Sequence, residues 1–308
     1  MSFLFLGPED RAATMRAVFA REAPDVPFFE ADDGVVPADI RYLATWTPPA
    51  DLAATYPDLA LIFSTGAGVD QFDLAALPPA MRLVRLVEPA LTGGMVDYVL
   101  GAVLSLHRDF FAYQRAQRDE VWQPGPMVAA ADRRVSILGI GALGGAVIDA
   151  LRPFGFQLAA WSRSPRDLAG VTHFAGERAL DDMLARTDIL VCLLPLTAET
   201  DGLLDARRLR AMPRGAMLVN AARGRHVVEA DLIAALDEGH VSQAILDVAA
   251  IEPLPPGHPY WRHPNILLTP HIASVTDHAA AARAMIANIR RHGSDEPLVG
   301  LVERSAGY

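Results

Sequence analysis

The sequence contains few of the residues that mark several classes of protein. Cysteine occurs once, at Cys192 in the apolar run ILVCLLP, so a disulfide within the chain is excluded and a buried structural thiol is favoured over a nucleophile. The 27 basic residues against 37 acidic ones give a net charge of −10, which opposes nonspecific attachment to nucleic acid or to an anionic membrane. These shortages predict a protein of the reducing cytoplasm, without nucleic-acid or membrane partners.

Long apolar runs and a secretion signal are also missing. No run approaches the ~20 residues of a membrane span, and MSFLFLGPEDR has no basic segment before its apolar stretch, so it is interpreted as a first strand. No histidine or cysteine lies at metal-binding spacing from His107, and no metal site is predicted. A chain of 308 residues is nevertheless long enough for two domains, each with its own core.

Short apolar strands alternate with amphipathic stretches over the first ~95 residues, which predicts a first domain with a parallel sheet. The predicted strands are residues 3–6, 40–45, 61–64 and 82–86. The third is followed by the glycine-rich turn STGAGVD, whose amides either hold a carboxylate or form a plain connection from strand to helix. Residues 94–117 have apolar residues at helical spacing without proline, which predicts one long helix.

Residues 135–147, VSILGIGALGGAV, combine a strand, the spacing Gly-x-Gly-x-x-Gly and a helix start rich in small residues. In this arrangement Gly139 makes the tight turn, Gly141 admits phosphates close to the backbone, and Gly144 lets the helix touch the strand. The first amides of the helix then face the anion. This stretch predicts a dinucleotide site in a second α/β domain.

The end of the next predicted strand indicates which dinucleotide binds. An NAD site places an acidic residue there to accept the ribose hydroxyls, whereas this chain has SRSPR from Ser162 to Arg166. Two guanidiniums and two hydroxyls suit a 2′-phosphate, which predicts NADP with NADPH preferred over NADH. The alternative is that these arginines are ordinary solvated charges.

Three residues with acid–base or anion-binding chemistry follow later strands. Arg223 comes after the strand at residues 216–220, Glu252 lies in a proline-rich loop after the strand at 243–248, and His271 follows the strand at 265–268. The carboxyl ends of parallel strands line one crevice, so these side chains are expected to converge. A guanidinium fits a carboxylate, and a carboxylate against an imidazole favours the protonated ring that carbonyl reduction requires. Each residue also has a structural alternative, as an ion pair, a helix cap or a turn residue.

The blocks NAARGRHV, LDVAAIEPLPPGHPYW and LLTPHIAS resemble the signatures of the D-isomer-specific 2-hydroxyacid dehydrogenases. The stretches WSRS, FAGERAL and the terminal ERSAGY are similar to the glyoxylate/hydroxypyruvate reductase A subgroup. The resemblance covers nearly the whole chain. One departure is Ala249, where relatives have phenylalanine, which puts the packing of the loop that contains Glu252 in question.

The resemblance implies a role for each matching residue. Arg223 and His271 would be catalytic, and Glu252 would polarise His271. The substrate would contact Trp46, Ala67, Gly68 and Arg223, although a packing role for Trp46 stays open. The cofactor would contact Gly139, Gly141, Leu143, Gly144, Ser162, Arg163, Ser164, Leu194, Pro195, Thr200, Ala221, Asp247 and Ser274.

The resemblance also implies an α/β fold of two Rossmann-like domains, each with a doubly wound parallel sheet. A flavodoxin-like substrate domain would comprise residues 1–98 and 277–308, and the NAD(P)-binding domain residues 99–276. A helix at 276–292 would return the chain to the first domain, and the strand-like PLVGLVERSAGY would end it. The resemblance further implies a two-fold homodimer through the crossing helix and the cofactor domain.

The implied function is NADPH-dependent reduction of small 2-oxo acids, glyoxylate and hydroxypyruvate, to glycolate and (R)-2-hydroxy acids, with His271 as the general acid. One alternative is a dinucleotide-sensing protein similar to a corepressor, against which the intact Arg, Glu and His speak. Another is a dehydrogenase for a bulkier or phosphorylated 2-oxo acid, or for an inorganic anion. No extra basic cluster in the first domain favours that reading.

Overall fold

The computed structural model describes residues 2–304, and the chain divides into two compact units. Unit 1 is Met1–Leu91 with Val275–Tyr308, and unit 2 is Thr92–Ser274. The sequence placed these boundaries at 98/99 and 276/277.

Unit 1 is built on a five-stranded parallel sheet with strand order β2-β1-β3-β4-β5. Its strands are β1 (Ser2–Leu6), β2 (Phe28–Glu30), β3 (Ile40–Thr45), β4 (Leu61–Ser64) and β5 (Arg82–Val84). Its helices are α1 (Glu9–Glu22), α2 (Leu52–Thr55) and α9 (His278–Gly293). Side chains alternate between the faces of the sheet, so Phe3 and Phe5 pack against α1 and α9 while Leu4 joins the core on the other side.

Unit 2 contains a seven-stranded parallel sheet with order β12-β11-β10-β9-β6-β7-β8. Its strands are β6 (Arg134–Leu138), β7 (Gln157–Ser162), β8 (Thr172–Ala175), β9 (Ile189–Cys192), β10 (Ala216–Asn220), β11 (Val241–Leu246) and β12 (Ile266–Leu268). Its helices are α3 (Pro89–His107, which begins in unit 1), α4 (Phe110–Arg118), α5 (Ala142–Leu151), α6 (Glu177–Leu184), α7 (Ala206–Ala211) and α8 (Glu229–Asp237). Separate cores lie on the two faces of this sheet. The predicted fold class, two doubly wound parallel sheets, is confirmed.

The predicted single helix at residues 94–117 is wrong. The structure has α3 and α4, separated at Asp109, whose φ of 53° is left-handed and therefore breaks the helical path. The predicted terminal strand is also wrong over its described part. Leu301 makes only an isolated bridge to Val84, and the last four residues lie outside the described residues.

Helix α3 is long and apolar enough, by length and composition, to span a membrane. No helix of this kind was predicted from the sequence. Val99, Val103 and Leu106 of α3 are fully buried in the core of unit 2. These buried side chains account for part of the apolar composition of α3.

Candidate active site

The glycine turn between β6 and α5 has the geometry that a pyrophosphate requires. Gly139 has a φ of +92°, and a Cβ on it would stand 2.8 Å from the carbonyl oxygen of Leu193. A Cβ on Gly144 would stand 1.9 Å from the carbonyl oxygen of Gly139, so only glycine lets α5 approach β6 this closely. Gly141 is the N-cap of α5 and faces open space, since a Cβ on it would meet nothing within 4 Å. The residues present therefore fit a dinucleotide at this helix end.

The segment after β7 is held by a chain of hydrogen bonds that centres on His173, a residue of β8. The Ser162 hydroxyl donates to the carbonyl oxygen of Ser164 at 2.6 Å, so it accepts from His173 Nε2 at 2.8 Å. His173 Nδ1 in turn accepts from the amide of Arg166 at 3.3 Å. These contacts require the neutral ring with its proton on Nε2. Burial and the nearby Arg166 charge lower the pKa of His173, which agrees with that form.

Arg166 also reaches the glycine turn. Its Nη1 donates to the carbonyl oxygen of Ile140 at 3.3 Å, so its guanidinium lies between the predicted ribose end and the pyrophosphate end of the site. The sequence analysis noted Arg166 but did not include it among the cofactor contacts, and it missed His173. No residue spacing indicates His173, because the pairing of β7 with β8 brings it to Ser162.

The turn after β9 contains the predicted adenine-side residues Leu194, Pro195 and Thr200. Leu194 is buried, and the Thr200 hydroxyl donates to the carbonyl oxygen of Pro195 at 2.7 Å. The buried His226 places its Nε2 3.2 Å from the same oxygen and its Nδ1 3.2 Å from the amide of Arg223. Sequence reasoning missed His226, which ties the turn after β9 to the turn that presents Arg223.

Arg223 lies three residues after the end of β10, beyond the buried Ala221 and Ala222. Its carbonyl oxygen accepts from Asn220 Nδ2 at 2.9 Å, and its own Nη1 donates to the carbonyl oxygen of Ala222 at 2.7 Å. A Cβ on Gly224 would stand 1.9 Å from the carbonyl carbon of Ala249. Glycine after Arg223 therefore allows the turn to lie directly against the loop that contains Glu252.

Glu252 and His271 form an ion pair. His271 Nδ1 lies 2.7 Å from Glu252 Oε2, and the other carboxylate oxygen accepts from the amide of Ala249 at 3.0 Å. The Ala249 backbone thus orients Glu252, and this contact does not depend on the side chain at position 249. Because a carboxylate only accepts, Nδ1 carries the proton, and Nε2 is the nitrogen left for a reacting group.

The charges around this pair shift both pKa values. The hydrogen bond that His271 donates to Glu252 raises the pKa of His271 against the opposing effects of burial and of the Arg223 charge. Burial raises the pKa of Glu252, but the hydrogen bonds from His271 and Ala249 and the charges of His271 and Arg223 outweigh it, and the net pKa is lowered. Both shifts favour the pair of ions.

The turn that presents His271 is organised by Asp247, which is 1% exposed. Its Oδ1 accepts from the amide of Ile272 at 2.8 Å, its Oδ2 accepts from the amide of Ala273 at 2.7 Å, and its carbonyl oxygen accepts from the amide of His271 at 2.8 Å. His271 has a φ of 55°, a left-handed conformation that a residue with a side chain rarely adopts. Asp247 therefore positions His271, and its predicted contact with the nicotinamide half stays a prediction.

The predicted substrate residues of unit 1 lie at one edge of its own sheet. Trp46 follows β3, while Ala67 and Gly68 follow the neighbouring β4. The Ser64 hydroxyl donates to the carbonyl oxygen of Gly68 at 2.7 Å, which fixes the turn. A Cβ on Gly66 would stand 2.7 Å from Trp46 Cζ3, so the indole packs over this glycine. Trp46 is 40% exposed, and it is therefore available for contact with a ligand.

The remaining predicted cofactor residues have simple placements. Leu143 lies in the first turn of α5, Arg163 and Ser164 lie between β7 and β8, and Ser274 is the last residue of unit 2. Their contacts with a cofactor stay predictions. Among the described residues no cluster of His, Cys, Asp and Glu has the geometry of a metal site.

The family model for the D-isomer specific 2-hydroxyacid dehydrogenase, NAD binding domain, matches residues 100–273. The chain belongs to the D-isomer-specific 2-hydroxyacid dehydrogenases. Members are NAD(P)-dependent oxidoreductases, and the predicted enzyme class is confirmed. The family model covers the glycine turn, Arg223, Glu252 and His271.

Individual members of the family match nearly the whole chain. Glyoxylate/hydroxypyruvate reductase A of Yersinia enterocolitica is 39% identical over 278 residues, which are 88% of each chain. A dehydrogenase of the family from Xanthobacter autotrophicus Py2, in complex with NADPH and MES, has a TM-score of 0.94 and 39% identity, over 100% of this chain and 99% of that one. The NADPH-dependent glyoxylate/hydroxypyruvate reductase of Sinorhizobium meliloti, in complex with NADP and sulfate, has a TM-score of 0.92 and 34% identity, over 100% of both chains. The resemblance to the reductase A subgroup is confirmed.

Proposed function

We propose that this dehydrogenase reduces small 2-oxo acids, glyoxylate and hydroxypyruvate, with NADPH, and that the products are glycolate and the (R)-2-hydroxy acid. The observation that carries the proposal is the Glu252–His271 ion pair, set in the field of Arg223 within the unit that contains the glycine turn. The names of the relatives from Y. enterocolitica and S. meliloti support the substrates. The NADPH and NADP in the structures of relatives support the cofactor.

When bound, NADPH supplies the hydride that reduces the carbonyl carbon of the substrate. The glycines at 139, 141 and 144 would admit its pyrophosphate, and the first amides of α5 would face the negative charge. In place of the acidic residue of an NAD site, the chain has arginines near the ribose end, at Arg163 and Arg166. This is the basis for NADPH as the preferred cofactor.

His271 supplies the proton that turns the carbonyl oxygen into a hydroxyl. Glu252 holds Nδ1 at 2.7 Å, so the proton leaves from Nε2. Since the pKa of His271 is raised, a larger share of the ring is protonated near neutral pH, as a general acid requires.

Arg223 binds the substrate carboxylate and polarises the carbonyl group. Its guanidinium can make two parallel hydrogen bonds to a carboxylate, which also fixes the orientation of the reacting carbon. The contact of the Ala67 and Gly68 amides with the substrate stays a prediction from the sequence.

The test is the decay of NADPH absorbance with a panel of 2-oxo acids. We expect glyoxylate and hydroxypyruvate to give the highest kcat/KM, NADH to be a poorer cofactor, and pyruvate or a phosphorylated 2-oxo acid to react more slowly. A kcat/KM that is highest for a bulkier acid would contradict the proposed substrates. A clear preference for NADH would contradict the proposed cofactor, and no decay with any acid would contradict the reductase itself.

We further propose that the enzyme is a cytoplasmic homodimer and that its α4 region contributes to the contact with the second copy. Phe110 is 58% exposed, Trp122 102% and Met127 87%, an unusual density of exposed apolar side chains for one stretch. Light scattering after size-exclusion chromatography should give twice the mass of one chain, and the double variant W122A/M127A should shift the mass toward one chain. A wild-type enzyme with the mass of one chain would contradict the dimer.

A further inference from the structure

Two hydroxyl groups connect helix α3 to the turn that presents His271. Tyr98 Oη lies 2.7 Å from Thr269 Oγ1, and Thr269 Oγ1 lies 2.6 Å from Asp247 Oδ1. None of these contacts involves a residue to which the proposed mechanism gives a chemical step.

The direction of both hydrogen bonds follows from chemistry. The Asp247 carboxylate only accepts hydrogen bonds, so the Thr269 hydroxyl donates its one proton to Asp247. Thr269 Oγ1 must then accept from Tyr98, whose phenol keeps its proton because burial raises its pKa to about 12. The chain runs from Tyr98 through Thr269 to the carboxylate.

The chain ends on the group that shapes the left-handed turn. The Asp247 carboxylate accepts hydrogen bonds from the amides of Ile272 and Ala273. The amide of His271 donates to the Asp247 carbonyl oxygen. Thr269 donates to the same carboxylate oxygen, Oδ1, that accepts the amide of Ile272, and so helps to fix how this carboxylate lies under the turn. The position of the His271 ring therefore depends on a hydroxyl two residues before it and on a phenol on a distant helix.

We propose that Tyr98 and Thr269 are positioning residues of the reaction, whose hydroxyls hold Asp247 and through it the turn from which His271 meets Glu252. The inference rests on the function proposed for His271. Sequence spacing gives no sign of Tyr98, since the packing of α3 in unit 2 brings it to the site.

The first experiment is an NMR titration of the His271 ring in the cofactor-free enzyme, with the H271Q variant used to assign its signal among the nine histidines. The groups whose charges act on this ring are Glu252, Arg223 and Asp247. In T269V the turn loses its anchor, the hydrogen bond to Glu252 weakens, and the pKa of His271 should fall toward its ordinary value. T269S keeps the hydroxyl and should restore the wild-type pKa.

The second experiment is a double-mutant cycle on kcat. T269V should lower kcat about tenfold, the effect of one hydrogen bond to a charged group, and Y98F about fivefold, the effect of a neutral one. In the T269V background Y98F should cost nothing or restore activity, because it removes a phenol left without an acceptor. Y113F is the matched control, since its hydroxyl accepts only the amide of Gly125 among the contacts described for it.

The outcomes separate the inference from the proposed function. An unchanged His271 pKa in T269V, or additive effects of Y98F and T269V, would overturn the positioning role. If T269V does not fold, Y98F removes a single oxygen atom and decides the same question on its own. Full activity of H271Q would instead contradict the proposed general acid, and the titration of His271 would still report on the positioning role.

Discussion

His271 and Glu252 give the enzyme a dependence on pH whose direction is fixed by their pKa shifts. The raised pKa of His271 means that its protonated form is lost only as the pH rises through that raised value. The kcat for reduction should therefore fall on the alkaline side. In E252Q the charge is removed while the shape is kept, so this fall should move to lower pH, toward the ordinary value of 6.5. An identical pH profile of kcat in E252Q and wild type would contradict the proposed role of Glu252.

The same pair contributes to stability over a definite range of pH. The contribution of His271 is complete below its ordinary pKa of 6.5 and is lost as the pH rises through the raised value. The contribution of Glu252 is present above its ordinary pKa of 4.5 and is lost as the pH falls through the lowered value. The difference in Tm between wild type and H271Q should thus be largest between these two ordinary values and shrink on either side.

Arg223 and Arg225 stand two residues apart and form a matched pair for mutation. Arg223 lies in the field of His271 and Glu252, whereas Arg225 is exposed and pairs with Asp201. We expect R223A to lower kcat/KM for glyoxylate on the order of 10²-fold or more, as when a group that stabilises developing charge is removed. R225A should keep near wild-type kinetics, and NADPH binding, measured by fluorescence, should survive in both. Equal losses in the two variants would mean that the effect of R223A is not specific.

At the scale of elements, the contact between α5 and β6 depends on one missing methyl group. A Cβ on Gly144 would stand 1.9 Å from the Gly139 carbonyl oxygen, while a Cβ on the adjacent Gly145 would meet nothing within 4 Å. The added methyl group of G144A should displace the helix from the strand. We therefore expect G144A to lower the free energy of unfolding by about 1–3 kcal/mol and to weaken NADPH binding. G145A should leave the stability unchanged or raise it by up to about 1 kcal/mol, because alanine is the better helix former. Calorimetry and a binding titration compare the two variants, and equal behaviour would refute the explanation.

The hydrogen bonds of His173 connect β8 to Ser162 and Arg166. We expect this connection to affect the choice between NADPH and NADH. H173A removes both hydrogen bonds that hold Ser162 and Arg166, so the Kd for NADPH should rise while the Kd for NADH stays close to wild type. H173Q can still donate to Ser162 and should recover part of the difference. A variant that weakens both cofactors equally would show that His173 supports the sheet and has no part in discrimination.

The elements differ in how far the sequence could predict them. The strands at 40–45, 61–64 and 216–220 were predicted with their observed limits, because their apolar runs end at clear turn signals. Strands β2 and β8 were missed because they are short edge strands that are only partly buried. The break at Asp109 was missed because the apolar spacing continues across it, although the backbone does not.

The candidate site also contains residues that could be predicted from the sequence and residues that could not. Arg223, Glu252 and His271 follow predicted strands in recognisable sequence blocks, so both their chemistry and their shared edge could be predicted. The supporting residues could not be predicted, because their contacts join segments that are far apart in the sequence. Tyr98 of α3 contacts Thr269, His173 of an edge strand contacts Ser162, and His226 contacts the carbonyl oxygen of Pro195. Only the folded chain brings such partners to hydrogen-bond distance.

The whole molecule consists of two units with separate sheets, and the chain passes between them at residues 91/92 and 274/275. The first passage lies inside α3, whereas the second lies in the irregular segment before α9. Most of the groups to which we assign chemistry belong to unit 2, while the turn at Ala67 and Gly68, for which the sequence predicts a substrate contact, belongs to unit 1. The discontinuous unit 1 is completed only when α9 packs against its sheet.

Cys192 gives this molecule a single-site reporter of its own opening. It is the only thiol, it is fully buried, and it ends β9 in the interior of the seven-stranded sheet. A thiol reagent can reach it only when unit 2 opens, so the rate of labelling under native conditions measures the frequency of that event. NADPH at 100 times its Kd should slow labelling about 100-fold, because only the closed form binds it. Labelling as fast as in denaturant would mean that the centre of the sheet opens freely; slow labelling would make one sulfur atom a kinetic measure of how often the whole unit comes apart.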